Sequence, residues 1–146
     1  MIRQIIAATA CVVAANAAVA TAPLSAAAPP AAIDGQWKTA DGRAVVTIAR
    51  CGSAYCGRIS RFLVAEPAGG AKDTENPNRN LRGRSLMGLR ILWDLKADGG
   101  DWQGKGYSPP DGRYFTAKVR KLSADRLEVK GCVAVFCKTQ VWPRYN

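Results

Sequence analysis

The chain contains no histidine. That absence excludes a Ser-His or Cys-His nucleophile pair and a three-histidine zinc centre. No Gly-x-Ser-x-Gly elbow occurs, and no glycine-rich phosphate loop opens a helix. No segment carries a long apolar pattern of period 3.6, so extended amphipathic helices are not expected. No Cys-x2-Cys pair occurs either, which argues against a zinc ribbon. Asp73 with Glu75 is the densest acidic cluster and the one place where carboxylate acid–base chemistry could be sought. It lies among Lys72, Arg79, Arg82 and Arg84, so surface ion pairing is the simpler account. The expectation is a protein that is not an enzyme and needs no cofactor.

What the chain does have is four cysteines in two matched pairs, Cys51…Cys56 and Cys132…Cys137, each enclosing four residues. An even count behind an export signal reads as a disulfide framework in an oxidising compartment. Residues i and i+5 around a tight turn are expected to face each other across an antiparallel pair, within disulfide reach. Local pairing is the favoured reading, while spacing alone leaves a Cys51-to-Cys132 cross-link open.

The export signal is the N-terminus itself. Arg3 is the first charge, an alanine- and valine-rich run spans Ile5 to Ala20, and Ala18-Val19-Ala20 offers a small-residue cleavage site. Ala26-Ala27-Ala28 offers a later one. The run is short and diluted by Asn16, so no transmembrane segment is expected in the mature protein. The fifth cysteine, Cys11, belongs to this leader, and the leucine of a lipid-attachment site is missing before it. Residues 1–20 therefore read as a signal peptide, 21–33 as a disordered Ala/Pro-rich lead-in, and 34–146 as one domain. Localisation follows as periplasmic or secreted.

Net charge is +10 over the whole chain, and loss of Arg3 with the leader leaves 20 basic against 11 acidic residues, a net of +9. Outside the cytoplasm such a protein meets anionic lipid or acidic polymer rather than nucleic acid. A monomer is expected.

Short alternating runs punctuated by Asp41-Gly42, Asp98-Gly99-Gly100 and Pro109-Pro110-Asp111-Gly112 give about eight strands. They run approximately 34–39, 43–51, 56–64, 87–95, 102–107, 113–122, 126–132 and 136–142. Leu89, Ile91, Trp93 and Leu95 are expected on one face of the fourth strand, and Phe115, Ala117 and Val119 on one face of the sixth. The fold class is all-β: a single antiparallel up-and-down barrel whose closure removes exposed edges. Residues 65–86 form one long aperiodic connection, and loops of that length in small domains commonly carry function. The candidate binding residues there are Lys72, Asp73, Asn76, Asn78, Arg79, Arg82 and Arg84. Calcium is disfavoured at Asp73, Glu75, Asn76 and Asn78, because the spacing is not that of an EF-hand and basic residues crowd the site. An Asx-turn cluster around Asn76-Pro77 is the better account.

Several segments, taken in order, resemble the bacterial exported family known as domain of unknown function 2147. They are Gly35-Gln36-Trp37, Cys51…Cys56-Gly57-Arg58-Ile59, Asp73…Asn76-Pro77, Arg84-Ser85-Leu86-Met87-Gly88, Trp102…Tyr107-Ser108-Pro109 and Thr139-Gln140-Val141-Trp142-Pro143-Arg144. The chain departs from that pattern at Ser108, where the family usually has aspartate. The resemblance implies an exported β-rich domain and no particular activity. Gly-x-Trp on the first strand with an arginine after the last is also similar to lipocalin-like barrels. That similarity implies that Trp37 plugs one end of the barrel and Arg144 lies across it, both as structural residues. Two functions are compatible with these features. The first is a binder of a small apolar or amphipathic molecule held in the barrel. The second is an envelope module that docks on an anionic lipid, polysaccharide or protein through the basic loop. Whether the interior is packed or open is not legible in the sequence.

Overall fold

The structure, a computed structural model, describes residue 14 and residues 17–146. The leader expected over 1–20, including Cys11, lies mostly outside the described residues. Residues 17–30 have no regular secondary structure.

Eight strands follow one another as a meander: β1 Gly35–Lys38, β2 Ala44–Cys51, β3 Ala54–Phe62, β4 Arg90–Asp98, β5 Asp101–Ser108, β6 Arg113–Ser123, β7 Arg126–Val133 and β8 Phe136–Pro143. Each pairs antiparallel with the next in a single sheet of order β1 through β8. The sheet curls into a half-barrel. Its first and last strands meet at one end only, through a bridge between Trp37 and Arg144 and a hydrogen bond from Tyr145 N to Gln36 O at 2.9 Å. With four residues, β1 is too short to accompany β8 further, so the seam stays open toward the other end.

Inward positions supply the core. Val46 and Ile48 of β2, Val119 of β6 and Leu127 of β7 are buried around Trp37, Leu95 and Trp102. Apolar burial of this kind is the main favourable term in a domain with almost no helix. The apolar core also reaches back before residue 34. Ile33 is fully buried, its carbonyl accepts from Trp37 Nε1 at 3.0 Å, and the Ala31 carbonyl accepts from Trp102 Nε1 at 2.9 Å. The lead-in expected over 21–33 therefore ends as part of the domain, because two buried indole N–H groups need acceptors.

The fourth strand departs furthest from expectation. It begins at Arg90 instead of Met87, and its alternation breaks at Asp94, whose φ is +54°. The register against β5 shifts between Trp93 and Lys96, as in a bulge. Leu92 and Leu95 point inward and Ile91 is buried with them, while Trp93 is only half-buried and packs edge-on against Tyr114, 6.2 Å between ring centres. Glycine at 104 makes the bulge feasible, since a Cβ there would collide with the Trp93 and Asp94 carbonyls.

Both disulfides are local, Cys51–Cys56 and Cys132–Cys137. Only the second joins directly opposed residues. In the β2–β3 hairpin the turn falls at Gly52-Ser53, Cys51 opposes Ala54, and Cys56 opposes Ala49. That bond is a diagonal one, across neighbours two positions apart on the same face.

Candidate functional site

The two ends of the half-barrel differ. One is sealed by Trp37, with Ile33 and the crossed rings of Tyr55 and Trp102, 4.8 Å apart at 89°. The Arg144 guanidinium lies 4.9 Å from the Trp37 ring centre, and Arg50 lies 4.1 Å from that of Tyr55. Gly35 has φ +134°, and a Cβ at that position would run into Arg144 Nη1. The Gly-x-Trp motif thus makes room for the arginine that covers the tryptophan, an arrangement worth about 0.5–2 kcal/mol as a cation–π contact.

The other end holds a cavity of about 520 Å³. Ile91, Leu92, Phe115, Val129 and Trp142 form its apolar floor and wall, and the turn at 39–41 and the start of β8 form its seam side. Arg113, Lys138 and Gln140 also line it. None of these three belonged to the candidate residues read from the sequence. The missed signal was their phase. Arg113 is in step with Phe115, Ala117 and Val119 on β6, and Lys138 and Gln140 are in step with Trp142 on β8. Gln140 is itself oriented, accepting from Trp142 Nε1 at 3.1 Å.

The hairpin closing β7 onto β8 presents Val133, Val135 and Phe136 to solvent, with Val135 86% and Phe136 80% exposed. Val133 and Phe136 are also part of the cavity lining.

The long 65–86 connection crosses the same end and is a fixed strap. Its two limbs pair through a bridge between Lys72 and Ser85 and through the Leu86 N to Ala71 O hydrogen bond at 2.9 Å. Asp73 and Asn76 are completely buried. Tyr107 Oη donates to Asp73 Oδ1 at 2.6 Å, Asn76 Nδ2 donates to Asp73 Oδ2 at 2.7 Å, and Arg84 Nε donates to the same oxygen at 2.8 Å. These bonds tie the strap to β5. Burial, then the hydrogen bond to Asp73 and its charge, push the Tyr107 phenol up to about 12. Burial pulls the Arg84 guanidinium down, but the hydrogen bond to Asp73 and its charge outweigh this, so its pKa lies above the ordinary value.

The candidate loop residues therefore separate into two sets. Asp73, Asn76 and Arg84 form the internal network. Arg82 joins it by donating from Nε to the Asn76 carbonyl at 2.8 Å. Asn76 Oδ1 accepts from Asn78 N at 2.8 Å, the Asx turn expected at Asn76-Pro77, and Asn78 Oδ1 accepts from Asn80 N at 3.0 Å to cap a short 3-10 turn, Arg79–Leu81. Lys72 and Arg79 remain exposed. Among the described residues, no cluster of three or more metal-ligating side chains occurs. No helix there is long and apolar enough to cross a membrane.

A half-barrel plugged at one end by Gly-x-Trp and arginine, and hollow at the other, is lipocalin-like in architecture. Its backbone is similar to that of a solved structure, "Protein HP1028 from the human pathogen Helicobacter pylori belongs to the lipocalin family", with a TM-score of 0.67 and 24% identity over 77% of this chain and 82% of that one. Residues 35–144 match the model of the family described as uncharacterized protein conserved in bacteria, DUF2147, and the chain belongs to that family. Among curated proteins, no sequence match is found.

Proposed function

We propose that this is an exported, non-catalytic, monomeric binding protein that holds one small apolar or amphipathic molecule at the open end of the half-barrel. The observation that carries the reading is the cavity of about 520 Å³ at the open end, with an apolar floor on strands whose other ends are fully packed. Its size lies within the usual range for small-molecule pockets, about 300–1,000 Å³. The two disulfides suit an oxidising compartment and pin one hairpin at each end of the molecule. Docking of the basic loop on an anionic partner has less to support it, because Arg84 and Arg82 already bond within the strap.

The test is uptake. Native mass spectrometry of protein purified from its own host is expected to show a bound species, and the emptied protein is expected to take up N-phenyl-1-naphthylamine with a rise in fluorescence. A bare polypeptide mass together with no probe uptake defeats the reading.

A further inference from the structure

We infer that the pocket is selective for an amphipathic anion, a single alkyl chain ending in a carboxylate or phosphate that is met by Lys138 and Arg113. This rests on the pocket reading above and adds the chemistry of the occupant. The register places both cations on the inner face. Arg113 opposes Ser108 two positions before Phe115, whose ring lies against the core. Lys138 opposes Gly131, four positions before the buried Trp142 on the same side of β8. Both residues line the cavity. Among the described residues neither forms an ion pair with a carboxylate.

Two carboxylates also line the cavity, and both are engaged by their own turns. Asp41 Oδ1 accepts from Thr39 Oγ1 at 2.6 Å and from Arg43 N at 3.1 Å, and Asp111 Oδ2 accepts from Ser108 Oγ at 2.7 Å. Both carboxylates keep their charge but are held to their own turns, which leaves Arg113 and Lys138 as the charged groups of the lining with no side-chain partner among the described residues. The floor of Leu92, Phe115 and Trp142 accepts an alkyl chain and offers no partner to a second charge. A buried charge without a partner is costly, so the charged end must stay at the rim with the cations. Arginine adds bidentate geometry that fits carboxylate and phosphate alike.

The experiment measures displacement of N-phenyl-1-naphthylamine, a neutral probe, by four twelve-carbon competitors: dodecanoate, monododecyl phosphate, dodecanol and dodecyltrimethylammonium. The expected order puts an anion first, about tenfold ahead of dodecanol, as for one charge-assisted contact, and the cation last. In Lys138→Met/Arg113→Met that advantage is expected to collapse toward parity. The ratio of dodecanoate to monododecyl phosphate tells the two head groups apart. An order in which alcohol or cation equals or exceeds both anions overturns the inference while leaving the pocket intact. Retention of the anion preference in the double variant also overturns it. Failure of the probe and of all four competitors to bind defeats the pocket reading as well.

Discussion

The sealed and hollow ends of this half-barrel are built from the same strands, and what separates them is the chemistry of the inward positions along each strand. On β6 the inward series runs Arg113, Phe115, Ala117, Val119, from exposed cation to fully buried valine. On β8 it runs Phe136, Lys138, Gln140, Trp142. Toward Trp37 the buried inward side chains are apolar and pack into one core, with Arg50 and Arg144 laid over the Tyr55 and Trp37 rings, and a short β1 suffices to join the ends of the sheet. Toward the 109–112 turn the series becomes polar, β1 has ended, and no side chain fills the space. A strand can thus be core at one end and pocket wall at the other without any break in its ladder.

Removing the plug is the largest way to break that contrast. Trp37→Ala empties a fully buried site at the sealed end and is expected to cost about 3–5 kcal/mol in urea unfolding. Phe136→Ala, at the hollow end and 80% exposed, is expected to stay within about 0.5 kcal/mol of the parent. Equal losses at the two positions would mean that the hollow end is packed in solution.

Next in size is the strap. Asp73→Ala leaves the Tyr107 hydroxyl, the Asn76 amide and Arg84 without their shared acceptor. The expected cost is about 2–4 kcal/mol, with new proteolytic cleavage between residues 65 and 86. Arg84 is a third exposed and recovers some hydration, which keeps the value below that of a fully buried pair. If stability fell and the strap stayed resistant to protease, Asp73 would be holding the barrel instead of the strap.

The smallest effect is a pH dependence. The Tyr107 phenol is raised in the folded state to about 12 from an ordinary 10. Its contribution to stability is therefore fully present below about pH 10 and lost as pH rises through about 12. Unfolding free energy in the parent is expected to fall over that window more steeply than in Tyr107→Phe, with the two curves parallel between pH 7 and 9. Parallel curves up to pH 12 would show that burial and Asp73 together do not raise the phenol in the folded protein.

The hairpin cysteines show how far local spacing reaches. Both pairs are i and i+5, and both are bonded locally, as their spacing favoured. Yet the turns differ by one position, Gly52-Ser53 against Ala134-Val135, so one bond is diagonal and the other directly across. In β4 the apolar alternation from Leu89 to Leu95 was sound as a strand signal, and Leu89, Ile91 and Leu95 do join the core, but so does Leu92, while Trp93 does not. The bulge at Asp94 depends on glycine at 104 in the neighbouring strand, 10 residues further on.

What the sequence determined by itself is what local chemistry controls. The order of eight strands follows from alternation and turn residues, and the Asx turn follows from Asn76-Pro77, whereas the plug of Trp37 and Arg144 was legible only through the lipocalin-like resemblance. The tertiary structure decided what depends on distant partners. It buried Asp73 by bringing Tyr107 to it across 34 residues of chain, and it drew Ala31 and Ile33 into the domain because two indoles needed acceptors. It also left a cavity where Arg113 and Lys138 face inward, since an alternating pattern names the face of a strand but not whether the opposite wall is near enough to fill the space.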